Sequence, residues 1–500
     1  MTGAALYESV ARLADVSHRF SEADLQQPWR WGAHDEGVRF ALLGTYHELR
    51  DLAATLAHRR AQQGPQLTLA QRALAPYHVA YRELQAQLVG VPEALYQEQP
   101  AAGEWHLRDV LTHTINTKRT FFTLVHYGLA RQRAAEDLPA RLPEGEVQRV
   151  VDSAEAFAAV WRDGVPADLL AYFDRLHQRT LDTFAQIDDE EIQGPSIWWE
   201  DEELSLQYRL HRFDAHLRQH TIQAEKTLEA VGQINSEARR LIRLTYRALA
   251  QAENAVLGAA ELGQAERQAL AREINERAAA VATRVQQSHD MVQAAQAGDV
   301  EAVRQLLQTN PRLAECVDNN LLPLVIAALY RGHQEIATLL AAGYEELDIF
   351  TAAALGRLDQ VEARVAEWDG YANETARDGF TPLQLACYFG RQTTALWLLE
   401  HGADVEAVAH NEQRIRPIHA AASYGNLVVL RALLARGADV NARQQQDFTP
   451  LHTAAQRDDG DMARLFLEHG ADVQARDALG RTPAQLAQEL GHDSLASLLN

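Results

Sequence analysis

Cysteine is nearly absent: Cys316 and Cys387 are the only two in 500 residues. That excludes a disulfide framework and a thiolate-rich metal site. Residues 1 to 290 hold no thiol at all. No apolar run approaches the roughly 20 residues a membrane span needs. The opening Met1-Thr2-Gly3-Ala4-Ala5-Leu6-Tyr7-Glu8 has neither the basic region nor the apolar core of a signal peptide. Together these absences give the expectation of a cytoplasmic protein with no membrane contact. Lysine is almost missing too. Of 47 basic residues only Lys118 and Lys226 are lysines, leaving 45 arginines. With the abundance of alanine, this resembles the codon bias of a GC-rich bacterial gene. Positive charge is in deficit throughout, and the net charge is −22. Residues 291 to 500 carry 28 acidic and 16 basic groups, a net of −12, which leaves −10 for the rest. Neither part offers a basic face to a phosphate backbone, so no nucleic-acid partner is expected.

What is present is helical pattern nearly everywhere. A hydrophobic share of 47% suits a globular chain, and the length suits about three domain-sized units. Residues 5–19 and 36–61 read as helices around a turn, Pro28-Trp29-Arg30-Trp31-Gly32. Four stronger patterns follow. The first spans about 71–91, with Tyr77, Tyr81, Leu84, Leu88 and Val91 in register, and Pro92 ends it. The second carries Val110, His113, Thr114, Thr117, Phe121 and Leu124 on one face. A crossover from Gln132 to Gly145 and a short helix over 153–162 lead to the third, which starts at Pro166. Gly194-Pro195-Ser196-Ile197-Trp198-Trp199 reads as a loop before the fourth. Four amphipathic helices with one long crossover make a bundle, and such a core can hold a metal on facing helices.

The fourth helix contains His211-Arg212-Phe213-Asp214-Ala215-His216-Leu217-Arg218-Gln219-His220-Thr221-Ile222-Gln223. His216 and His220 are the only two of the twenty histidines spaced four apart. Side chains at i and i+4 lie one turn apart, so both imidazoles can reach one ion. Two core or surface histidines give the same spacing, so a third ligand is needed. His113, in the middle of the second helix and on its core face, is that candidate. A core histidine bonded to a carbonyl or a tyrosine is the alternative.

Glu104-Trp105-His106-Leu107-Arg108-Asp109-Val110-Leu111-Thr112-His113 resembles the segment that opens the second helix of the DinB/YfiT-like four-helix-bundle superfamily. His216-Leu217-Arg218-Gln219-His220-Thr221-Ile222-Gln223 resembles that family's closing pair of histidines followed by glutamine. The resemblance covers residues 66–232. It implies a site for zinc or nickel at His113, His216 and His220. Three histidines leave a coordination position open, as catalytic metals require. The resemblance also implies a possible reaction class, S-transfer with a low-molecular-weight thiol, which the substrate would have to supply. Asp109 and Asp214 are acid–base candidates that equally suit solvated or ligand-orienting carboxylates. A pocket lined by Trp105, Tyr127 or Trp198 beside the triad would favour an enzyme. A closed core would favour a metal-stabilised interaction module.

Residues 233–290 read as two Ala- and Arg-rich helices around a break at Gly258 and Gly263, with enough apolar positions to pack rather than to tether. From 291 the sequence repeats. Thr381-Pro382, Arg416-Pro417, Thr449-Pro450 and Thr482-Pro483 open equivalent units whose prolines lie 35, 33 and 33 residues apart. His401-Gly402-Ala403-Asp404, Arg436-Gly437-Ala438-Asp439 and His469-Gly470-Ala471-Asp472 recur between them. Period and both motifs match the ankyrin repeat. Decayed units upstream bring the number to about seven, with atypical first and last units as caps. The expected architecture is all-α: an N-terminal helical extension (1–65), a DinB-like four-helix bundle (66–232), a helical connector (233–290) and an ankyrin solenoid (291–500) with short hairpin fingers. A protein partner is expected on the repeats. Arg377, Phe380, Arg414, Arg416, Gln446 and Phe448 at the turn tips are the candidate contacts. Phe380 and Phe448 equally suit packing beneath the turns.

Overall fold

The computed structural model describes residues 4–134, 137–199 and 202–500, without the side chains of Ala4, Asp163, Trp198 and Trp199. The chain is all-α, and its one sheet among the described residues is a two-stranded hairpin. It divides into two compact units, Met1–Val285 and Gln286–Asn500. No helix among the described residues is long and apolar enough to cross a membrane.

In the first unit, α1 (Ala4–Ser17) and α2 (Phe40–Gln63) precede four long helices. These are α3 (Leu69–Leu88), α4 (Leu107–Arg133), α5 (Pro166–Phe184) and α6 (Leu206–Ala230). Local chemistry sets their ends. Thr68 caps α3 through a box with Gln71, and Ser205 accepts from the Tyr208 amide to start α6. Pro166 opens α5, where a missing N–H costs nothing. The four helices enclose one core that includes Leu74, Tyr77, Ile115, Phe122, Phe173, Phe184, Phe213 and Leu217. Between α5 and α6 the chain forms β1 (Pro195–Trp199) and β2 (Glu202–Ser205), paired antiparallel. This corrects the reading of 194–199 as a loop. Arginines hold the first strand, because Arg131 donates to the Ser196 carbonyl at 2.9 Å and Arg209 to that of Ile197 at 3.1 Å.

Two further helices, α7 (Glu237–Ala255) and α8 (Gln264–Ala297), follow the bundle. The positive φ of Gly258 and Gly263 makes the break between them. The apolar faces of α1 and α2 do not cover the bundle alone. With α7 and the first part of α8 they build a second core of Leu6, Leu13, Leu42, Leu49, Leu56, Ile242, Tyr246, Leu249, Ile274 and Val281. The N-terminal extension and the connector are thus two halves of one packed layer.

The second unit stacks helix pairs, of which Pro382–Tyr388 with Gln392–Glu400 and Pro450–Arg457 with Gly460–Glu468 are typical. Alanines at the seams, such as Ala386, Ala421 and Ala454, are fully buried. The fingers between pairs are joined by backbone bonds: His410 N–H to Gly379 O at 2.8 Å, Gln445 N–H to Gln413 O at 2.9 Å and Ala478 N–H to Gln446 O at 2.8 Å. Both cysteines are buried.

His419 and His452 work inside this stack and not as ligands. His419 Nδ1 accepts from the Arg416 amide at 3.1 Å, and Nε2 donates to Ala442 O at 3.0 Å. Gln384 does the same work one repeat earlier, accepting from the Thr381 amide and donating to Ala407 O. Burial pushes the His419 imidazole down to about 4. The unfolded chain takes up its proton near pH 6.5 and the folded one only near 4. Stability is therefore full above 6.5 and falls as pH drops between those values, by about 3 kcal/mol in all. His419→Gln should flatten that slope in hydrogen-exchange denaturation of the repeats at pH 7 and pH 4.5. An unchanged slope would place the proton uptake elsewhere.

Candidate metal centre

Helices α4 and α6 pack side by side and carry all three expected ligands. Nitrogens of His113, His216 and His220 lie within 4.8 Å of one another. The ring centroids of His216 and His220 are 4.4 Å apart, and that of His113 lies 5.5 Å and 4.7 Å from them. The Nε2 atoms of His216 and His220 face each other at 3.2 Å. Two imidazoles bound to one tetrahedral ion at 2.0–2.1 Å would place their nitrogens about 3.3 Å apart, so the spacing fits a shared ligand. Nδ1 of His220 is bonded to Gln223 Oε1 at 2.8 Å, which turns the other ring nitrogen toward the cluster. Nδ1 of His216 is buried and finds no partner among the described residues.

One expectation about depth needs correcting. His113 lies in the second turn of α4, not at its middle, and with His216 it reaches solvent. The cluster therefore sits toward one end of the bundle. Burial, followed by the nearby Lys118 charge, pushes the His216 imidazole down to about 3. Burial lowers His220 as well, against the opposing bond from Gln223. Both rings are neutral at neutral pH, the form that donates to a metal.

The surroundings differ from those anticipated. Trp105 does lie near His113, with ring centroids 5.1 Å apart and the planes tilted by 59°. Tyr127 is instead buried with Leu124 and Ile197 under the hairpin, and the side chain of Trp198 lies outside the described residues. Asp214 pairs with Arg218 at 2.7 Å, so Gln223 and not a carboxylate orients the His220 ring. Asp109 is an exposed first-turn residue of α4. A cleft of about 540 Å³ does adjoin the cluster, lined by Phe121, Leu124, Glu202, Leu204, Tyr208, Arg209 and Arg212. Phe121 connects the two, because its ring centroid is 5.5 Å from that of His216.

Sequence reasoning missed two buried features. Lys118 is wholly buried, donates to the Phe213 carbonyl and lies 4.9 Å from the Tyr77 ring centre and 5.0 Å from that of Phe213. Burial drives its amine well below the usual lysine range. The second feature is a chain of charge between helices. Glu253 of α7 takes two bonds from Arg82, at 2.7 and 2.9 Å, and one from His78 Nε2 at 2.8 Å. His78 Nδ1 in turn meets His177 Nε2 at 2.9 Å. The carboxylate and His177 lie on opposite sides of the His78 ring, so these groups cannot share an ion.

The turn-tip candidates also have definite places. Phe380 and Phe448 pack against the repeat cores. Arg416 is paired with Glu406. Arg377, Arg414 and Gln446 are exposed, the last two with positive φ.

A helical bundle with three histidines clustered on two helices, in a chain that continues into stacked helix pairs, defines a two-part all-α protein. Residues 77–224 match the model of the DinB superfamily, and 349–444 and 418–500 match that of ankyrin repeats, in three copies. The chain carries a DinB-superfamily domain and C-terminal ankyrin repeats, and those repeats are protein–protein interaction elements. Among curated proteins it is similar to human DNA-binding protein RFXANK, 37% identical over 83 residues, which is 17% of this chain and 31% of that protein. It is also similar to mouse Rabankyrin-5, 33% identical over 114 residues, 22% of this chain and 10% of that protein. The chain thus spans less than a third of the length of either relative.

Proposed function

We propose that the bundle binds a divalent ion, zinc or nickel, through His113, His216 and His220, and that the ankyrin repeats dock a protein partner. The observation that carries the metal reading is the facing pair of Nε2 atoms at 3.2 Å with the third imidazole beside them. A bound ion with a free position supplies Lewis acidity, lowering the pKa of a water or thiol that reaches it. The chain's own residues prepare that place. Gln223 fixes one ligand ring, burial keeps the His216 and His220 rings neutral, and the solvent-reaching side of His113 and His216 leaves an approach. The adjoining cleft favours a centre that handles a small molecule, a thiol in the S-transfer reading, over a metal that only braces the bundle. The net charge of −12 over residues 291–500 argues for a protein rather than a nucleic acid on the repeats.

Elemental analysis of the purified, tag-free chain tests the metal. About one zinc or nickel per chain is expected, with loss of both from the His216→Ala/His220→Ala variant. No metal in either protein after incubation with zinc or nickel would end this reading.

A further inference from the structure

We infer that Lys118 gates the histidine cluster: it must be neutral for the histidines to hold a divalent ion, and it gives up its proton to solvent as they take one. This rests on the metal reading of His113, His216 and His220.

Lys118 is the odd residue of the bundle core. The chain has two lysines, and this one is 0% exposed while Lys226 lies on the surface. Its amine donates to the carbonyl of Phe213, in the turn of α6 that leads to His216. The rings of Tyr77, Phe213 and Phe121 lie beside it, with centres at 4.9, 5.0 and 5.6 Å. Phe121 also borders the cluster, its ring centre 5.5 Å from that of His216. Aromatic packing is thus what lies next to both the amine and a ligand, and an apolar layer screens charge poorly.

Both states of the amine suit this place. Burial favours the neutral form. Ring faces and a carbonyl favour the ammonium, because each turns negative charge toward it. Lys118 has no salt bridge among the described residues, so no paired carboxylate decides between the two. On α6, Asp214 favours the ammonium and Arg212 opposes it. Asp214 is already paired with Arg218 at 2.7 Å. The other titratable groups facing Lys118 are His216 and His220 on α6, His177 on α5 and Tyr77 on α3. On its own helix, His113 lies five positions earlier. A charge on Lys118 pushes the His216, His220 and His177 imidazoles down. It would oppose a doubly charged ion on the same rings more strongly. By linkage, the proton weakens ion binding by the same factor as the ion weakens proton binding. A lysine that only tied α4 to α6 would have no such effect.

The full chain carrying lysine labelled with carbon-13 at Cε tests this, because it gives two lysine signals and Lys226→Arg identifies that of Lys118. The Lys118 carbon shift is followed from pH 5.5 to 9 with and without one equivalent of zinc, whose binding is read by calorimetry on the same samples. Zinc should move the Lys118 midpoint to lower pH by about one pH unit or more, which equals about tenfold weaker zinc binding by the protonated form. The His216→Ala/His220→Ala chain should show no move. Lys118→Met keeps the length and loses the charge. It should bind zinc more tightly than the unsubstituted chain at pH 6, with the difference narrowing toward pH 8.5. Bound zinc without a move of the Lys118 midpoint, a carbon shift that stays constant over the whole range with and without zinc, or weaker binding by Lys118→Met at every pH would overturn this inference and leave the metal reading standing. Zinc that binds at no pH would overturn the metal reading, and this inference with it.

Discussion

Glu253→Ala is expected to destabilise the first unit by about 3–5 kcal/mol, because it leaves the Arg82 guanidinium buried without its counter-charge and His78 Nε2 without its partner. Arg82 and His78 are both almost fully buried, and both direct their donors at this one carboxylate. Burial alone would raise the Glu253 carboxyl. The Arg82 charge and the His78 contact outweigh it and hold the carboxyl down to about 2. The sign follows from that depression. Its contribution to stability is full above the ordinary carboxylate value of 4.5 and is lost as pH falls toward 2. Glu253→Gln, which can still accept a bond but brings no charge, should lose less. Hydrogen exchange under denaturant, followed in Leu69–Leu88 and Glu237–Ala255, reports the change without assuming one transition for the whole chain. A loss below about 1 kcal/mol would show the network to be of little consequence.

Metal should have an effect of similar size in the opposite direction. An ion that binds the folded histidine cluster and not the unfolded chain stabilises by about 4 kcal/mol when free metal exceeds Kd a thousandfold. Zinc added to the metal-free protein is expected to slow exchange in Leu107–Arg133 and Leu206–Ala230. The His216→Ala/His220→Ala variant should show no such response, while the exchange of Gln286–Asn500 stays the same in both proteins. Equal stabilisation of the variant would assign the effect to adventitious surface binding.

The parts that could be read from sequence are those whose interactions are local. Each ankyrin pair packs mainly on its neighbours, so a 33-residue period carries nearly all the information about that unit. His216 and His220 share one helix, and their spacing places them without any knowledge of the fold. The rest depends on which faces meet. The stripes on α1, α2 and α7 were visible singly, but nothing local says that they cover each other. Glu253, His78 and His177 lie on three helices, 175 and 99 positions apart in the chain. Their only trace is a histidine among aromatics, beside Tyr77 and after Phe173. The depth of His113 was misjudged because periodicity gives a residue's face and not its height along the bundle. The hairpin escaped because its first strand is held by arginines of two helices, Arg131 from 65 positions earlier in the chain and Arg209 from the helix that follows.

The bonds between neighbouring fingers also bear on how such a chain can change in length over evolution. Each finger is aligned with the next through a backbone amide and carbonyl, so the fingers form a strip with a fixed step. Duplicating or removing a whole repeat preserves every alignment in that strip. Inserting one residue at Gln413 or Gln446 shifts the carbonyl away from its amide and interrupts it. Whole repeats are therefore the simplest unit of growth and shrinkage, and the two extra residues between Pro382 and Pro417 are accommodated in a finger that keeps its bonds at His410 and Gln413.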